Sequence, residues 1–214
     1  MARSRIFLAD DHKILLAALR KVLEPEFEIV GVASDGRALL AAAEESRPDL
    51  IIVDLGLPLL NGMDAGLRLR ELLPRTRLLV VTMNEDPEIA FKVLQDWASG
   101  FLLKKSRTAE LLHAVREVLA GRTYVSPEVL AGLGKQSAHH PDHPCNSLTF
   151  RQREVFQLLA EGRSMKEAAS ILDVTMRTIA FHKYKLMQQL SLHNSSDIVR
   201  LAVEEHIISP RADL

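Results

Sequence analysis

Residues 50–58 read LIIVDLGLP: four consecutive aliphatic side chains lead into Asp54, and a glycine and a proline follow at once. An apolar run without alternation buries both faces of a strand, as in parallel sheets covered by helices on either side. A carboxylate at the end of such a strand stands where open α/β sheets bind their ligands. Outward from this stretch, similar runs recur as RIFLAD at 5–10, EIVGVA at 28–33, RLLVVT at 77–82 and GFLLK at 100–104, separated by about 10 to 20 residues. That spacing is the mark of repeated βαβ units. The first 120 residues are therefore expected to form an α/β domain, a doubly wound sheet of five parallel strands.

The intervening segments carry helical periodicity, as in Leu15, Leu16, Leu19, Val22 and Leu23, or Leu111, Leu112, Val115, Val118 and Leu119. Gly121 stops the fifth helix, and the domain is expected to span 1–131. Residues 132–147, GLGKQSAHHPDHPCNS, lose all periodicity and read as a linker. From 148 to 214 the pattern is all helical. Thr149 is an N-cap ahead of Val155, Phe156, Leu158 and Leu159, and Gly162 ends that helix. Ser164 opens a short helix through Leu172, Thr175 opens the next, and a fourth begins near Ser195 or Ser196. Short helices joined by short turns predict a helix-turn-helix unit.

Composition narrows the function. The single cysteine, Cys145, excludes an intrachain disulfide framework and a cysteine-based zinc site, in keeping with a reducing cytosol. With no leader-like start and no run of about 18 apolar residues, the chain is expected to be soluble and cytoplasmic, with no membrane partner. The net charge of −1 divides into −2 over 1–131 and +1 over 148–214. From Val174 to Ser196 there is no acidic residue, whereas Arg177, Lys183 and Lys185 lie there with His182 and His193. This is a local cationic surface.

At the carboxyl ends of the expected strands stand Asp10 and Asp11, Asp54, Thr82 and Lys104. Any one of them alone is most simply a cap or a solvated side chain, but five at corresponding strand ends form a constellation. Converging carboxylates repel unless a cation bridges them, and their hard oxygens suit Mg²⁺. A lysine and a hydroxyl alongside suit a phosphoryl group.

The segments LADDH, VDLGLP, VVT and GFLLKK resemble the marker segments of response-regulator receivers over about residues 5–122, which implies a flavodoxin-like fold. By that resemblance Asp54 accepts a phosphoryl group from a sensor histidine kinase. Asp10, Asp11, Asp54 and the carbonyl of Gly56 hold Mg²⁺. Lys104 and Thr82 contact the phosphoryl oxygens, and Phe101 is the switch aromatic coupled to Thr82. The sequence departs from the family at Lys105, where many receivers carry proline, at Phe101, where tyrosine is commoner, and at Met83 and Asn84, which replace small residues. Trp97 is expected to be a packing residue.

On a helical wheel at about 100° per residue, Ile179, Leu186 and Leu190 share one face of the helix from Thr175, with His182 beside them. Arg177, Phe181, Tyr184, Lys185 and Gln188 occupy the other. Outward aromatics among cations suit a DNA groove better than water alone. Residues 147–208 resemble the LuxR-type helix-turn-helix of the NarL/FixJ response regulators. The resemblance puts Ala180, Phe181 and Tyr184 toward bases, and Arg177, Thr178 and Lys185 toward phosphates, with Lys183 nearer the buried edge. His182 is expected to pack, and His139, His140 and His143 with Asp142 and Cys145 form a remote metal-binding option.

The combined expectation is a response regulator of double-stranded promoter DNA, not an enzyme, switched by phosphorylation, acting as a homodimer, with RNA polymerase a candidate partner. Three rivals remain in view. Haloacid-dehalogenase phosphatases place a second aspartate two residues after the nucleophile, a spacing Asp10-Asp11 lacks. A ligand-sensing LuxR regulator needs an apolar pocket in place of the ionic cluster, and a receiver acting without phosphorylation does not need the full Asp/Asp/Asp/Thr/Lys set.

Overall fold

Residues 3–133 and 144–208 are described by the computed structural model, and two units result, each with its own core. The first alternates strands and helices: β1 (Arg5–Ala9), α1 (Lys13–Leu23), β2 (Glu28–Ala33), α2 (Gly36–Ser46), β3 (Leu50–Val53) and α3 (Gly62–Leu72). Then follow β4 (Arg77–Thr82), α4 (Pro87–Asp96), β5 (Gly100–Leu103), α5 (Thr108–Leu119), β6 (Tyr124–Val125) and α6 (Pro127–Leu133).

All strand pairs are parallel, in the order β2-β1-β3-β4-β5-β6. The order reverses between β1 and β3, so the crevice beyond their carboxyl ends is the topological switch point. β3 is buried along its whole length because both faces are covered. On one face Ile6, Leu8, Ile52, Leu79 and Val81 pack with Leu19 and Leu23 of α1 and Leu111, Val115 and Val118 of α5. Gly31 is required where it stands, because a Cβ there would run into the ring of Phe7 on β1.

The sheet has six strands rather than the expected five. β6 is two residues long and pairs with Gly100 and Phe101 of β5; a strand that short carries no hydropathy period. Ser126 continues the attachment, its N–H donating to the Phe101 carbonyl at 2.9 Å and its Oγ accepting from the Leu103 N–H at 3.1 Å. Gly121 ends α5 region with φ +86°, a conformation that suits glycine. Trp97 packs as expected, its ring so close to α3 that Gly66 has no room for a Cβ.

In the second unit, a short 3-10 helix (Pro144–Ser147) precedes α7 (Phe150–Ala160), α8 (Met165–Ile171), α9 (Met176–Gln189) and α10 (Ser195–Glu204). Cys145 is buried in this core with Leu148, Phe156, Leu158, Ile179, Leu186 and Ile198. His139, His140, Asp142 and His143 lie outside the described residues.

The helix starts follow the sequence signals. Thr149 with Gln152 and Ser164 with Glu167 form reciprocal capping boxes, and Thr175 Oγ1 accepts from the Thr178 N–H. α10 begins at Ser195, within the expected start, and is capped by Asn194, with which Asp197 three residues on completes a capping box. Gly162 takes φ +82° after α7.

Candidate functional site

Of the five polar side chains expected at the strand ends, Asp10 and Asp54 meet Lys104 directly. Asp10 and Asp54 follow the adjacent strands β1 and β3, and Lys104 follows β5. The Lys104 ammonium lies 2.8 Å from Asp10 Oδ2 and 2.8 Å from Asp54 Oδ2. All three side chains are almost wholly buried, between 3% and 7% exposed. In such surroundings the ion pairs are screened far less than surface pairs. Burial works against the charged amine, yet Asp54 and Asp10 outweigh it and hold the Lys104 pKa above its ordinary value.

Asp11 is exposed beside this pair, and His12 completes the group. The His12 N–H and ring Nδ1 lie 2.9 and 3.1 Å from Asp10 Oδ1, and Nδ1 lies 2.7 Å from Asp11 Oδ1. Sequence reasoning passed over His12, although its place directly after two aspartates was a usable signal. One ligand atom from each of Asp10, Asp11, His12 and Asp54 falls within 4.8 Å of the others. Three carboxylates gathered this closely could hold a metal ion, and their donor chemistry fits a hard cation.

Thr82, buried at the end of β4, accepts a hydrogen bond from the Asn84 N–H at 3.2 Å. Its own hydroxyl proton has no acceptor among the described residues. Phe101 is fully buried on β5, opposite Val80. Gly56 is half-buried in the turn after Asp54. Gly62 backs the site: a Cβ on it would collide with the Asp54 carbonyl and Leu55 Cα, so only glycine lets α3 start here.

The second group of predicted residues lies on α9. Ile179 and Leu186 are fully buried, while Arg177, Ala180, Phe181, Tyr184 and Lys185 are exposed; Thr178, His182 and Lys183 are half-buried. Phe181 and Tyr184 expose 56% and 66% of their surface, a large outlay of aromatic area on a helix that has buried its other face. The Lys185 ammonium sits 5.9 Å from the centre of the Phe181 ring, and His182 meets that ring edge-on. Burial, then Arg151, holds the His182 pKa below its ordinary value. The far end of α9 is tied down by Gln189, which accepts from Gln152 at 3.2 Å and donates to the Ser147 carbonyl at 2.7 Å. Among the described residues no helix is long and apolar enough to cross a membrane.

Comparison with known proteins matches both regions. Residues 6–116 match the family described as response regulator receiver domain, and residues 146–202 match bacterial regulatory proteins, luxR family. The chain is 31% identical over 214 residues to the oxygen regulatory protein NreC of Staphylococcus carnosus, across 95% of this chain and 99% of that protein. Among solved structures, RcsB from Salmonella enterica serovar Typhimurium, bound to promoter rprA in the presence of phosphomimetic BeF3-, is similar with a TM-score of 0.56 and 27% identity, over 92% of this chain and 97% of that one. A LuxR-family two-component response regulator from Aurantimonas sp. SI85-9A1 is 32% identical with a TM-score of 0.60, over 63% of this chain and 97% of that one.

Proposed function

Because this chain belongs to the response-regulator family and is a DNA-binding two-component regulator of transcription rather than an enzyme, we propose that Asp54 is its phosphoacceptor and α9 its DNA-reading helix. The observation that carries the first half is the placement of Lys104, 2.8 Å from both Asp54 and Asp10 at the switch point of the sheet.

An Asp54 carboxylate oxygen attacks the phosphorus of a phosphohistidine on the sensor kinase. The new O–P bond makes an acyl phosphate while the P–N bond breaks, and the imidazole departs with the electron pair. Lys104 exchanges carboxylate partners for phosphoryl oxygens, and the free Thr82 hydroxyl donates to them. Asp10, Asp11, Asp54 and the Gly56 carbonyl would hold Mg²⁺, which when bound neutralises the charge that gathers on the transferring group. Repacking of Thr82 and Phe101 then carries the change to the rest of the molecule.

On α9, Ala180, Phe181 and Tyr184 face base edges, while Arg177, Thr178, Lys183 and Lys185 meet phosphates. What supports this is the exposed aromatic pair among cations on a helix whose opposite face is core. The functional division is a receiver at 1–131, a linker at 132–147 and a DNA-binding domain at 148–214. The active species is a cytoplasmic homodimer on paired half-sites, with RNA polymerase as its partner at promoters.

Acetyl phosphate with Mg²⁺ tests the chemistry. Intact-mass measurement is expected to find one phosphoryl group on the wild type and none on Asp54→Asn. Equal incorporation by the two proteins rejects Asp54 as the acceptor, and no incorporation by either rejects a working phosphoacceptor site.

A further inference from the structure

At the opposite end of the sheet from Asp54, the starts of β4 and β5 and the ends of α3, α4 and α5 line an open cavity of about 220 Å³. Three arginines, Arg70, Arg77 and Arg122, are among its lining residues. Arg122 is held by Glu117 through bonds of 2.6 and 2.7 Å. Arg70 and Arg77 have no side-chain hydrogen bond or ion pair among the described residues. Asp96 is the one acidic residue among those lining the cavity, and it is exposed.

Two further features mark the cavity as built. Trp97, another lining residue, is 4% exposed, and its indole N–H is buried without an acceptor. Buried donors nearly always find a partner, so an orphan of this kind calls for one. Gly121 keeps the Arg77 side of the cavity open: a Cβ there would stand 3.2 Å from Arg77 Nη2.

From these features we propose that the cavity binds a small polyanion. Arg70 and Arg77, which have no side-chain partner among the described residues, bring two guanidinium forks to one cavity, and the planar fork matches pairs of phosphate or carboxylate oxygens. The volume falls below the roughly 300 Å³ at which pockets for drug-sized ligands begin. The ligand is therefore of pyrophosphate or small dicarboxylate size. Arg77 and Thr82 are the two ends of β4, roughly 17 Å apart at the usual rise of a strand, so this site is separate from the one around Asp54.

Trp97 is the sole tryptophan in the chain, and its emission reports on the cavity directly. The full chain is titrated with inorganic pyrophosphate, with malonate, and with sodium chloride at matched ionic strength. A saturable change with pyrophosphate or malonate is expected, and the tighter of the two identifies the oxyanion class. Arg70→Gln and Arg77→Gln, both at exposed positions, each weaken binding roughly tenfold, the scale of a lost charge-assisted hydrogen bond. The proposal is overturned if no anion saturates, if sodium chloride reproduces the change, or if the double arginine variant keeps its affinity while its circular dichroism shows it folded.

Discussion

Lys104 Nζ stands 2.8 Å from Asp54 Oδ2, and both side chains are 7% exposed. The same ammonium reaches Asp10 at 2.8 Å, so a single cation offsets two buried carboxylates. Removing that cation leaves two neighbouring buried carboxylates without their partner, which is costly.

Lys104→Met keeps the side-chain bulk and removes the charge. In urea unfolding with a chelator present it is expected to cost about 3–5 kcal/mol, the range for breaking a buried ion pair from one side. Added Mg²⁺ restores more stability to the variant than to the wild type. Burial lowers the Lys104 pKa, but Asp54 and Asp10 outweigh it and leave it above 10.5. The contribution is thus complete below about pH 10.5 and fades as pH rises through the elevated value. The wild-type urea midpoint falls in that alkaline range relative to Lys104→Met. Parallel curves for the two proteins contradict the account.

Gly62→Ala tests how closely α3 is built against the acceptor. The new methyl group meets the Asp54 carbonyl and Leu55 Cα, both backbone, so the loop must move. A loss of about 1–3 kcal/mol is expected from overpacking, together with slower phosphoryl uptake from acetyl phosphate. Unchanged uptake kinetics would mean the Asp54 geometry tolerates displacement.

Much of this arrangement was legible in the residues themselves. β3 announced itself because LIIV is apolar throughout, and Asp54, Thr82 and Lys104 were found as polar groups closing such runs. β6 escaped because Tyr124 and Val125 are too few to show a period. Asn194 stood in a row of three capping residues with Ser195 and Ser196, and only the spacing to Asp197 distinguishes it. The closeness of Gly62 to Asp54 depends on how the intervening loop returns, and Arg70, Arg77 and Arg122 come from three different segments. No local pattern encodes contacts of that kind.

On α9, Phe181→Ala and Tyr184→Ala remove exposed side chains and should leave stability within about 0.5 kcal/mol. Each is expected to weaken binding to a cognate promoter fragment roughly tenfold, the effect of about 1.4 kcal/mol. Lys185→Ala instead weakens binding to specific and unrelated DNA alike and reduces the slope of log affinity against log salt by about 1. Fluorescence anisotropy at several salt concentrations separates the two patterns. If Phe181→Ala and Tyr184→Ala bind as tightly as the wild type, α9 does not read bases through these side chains.

His182 supplies the acid-side prediction. Burial and then Arg151 depress its pKa below 6.5, so it is neutral in the folded domain at neutral pH. The associated stability is present above pH 6.5 and is lost as pH falls through the depressed value, because the unfolded chain takes up the proton first. An NMR titration is expected to place the His182 imidazole below 6.5, and a value at or above that refutes the packing assigned to it.

The most direct test of the whole switch is promoter affinity, measured by footprinting on genomic fragments, for wild type and Asp54→Asn with Mg²⁺ and with or without acetyl phosphate. The donor is expected to tighten binding by the wild type and to leave Asp54→Asn unchanged. Equal affinity for both proteins, with and without donor, would contradict control through Asp54 and leave a DNA-binding protein that acts without the phosphoryl group.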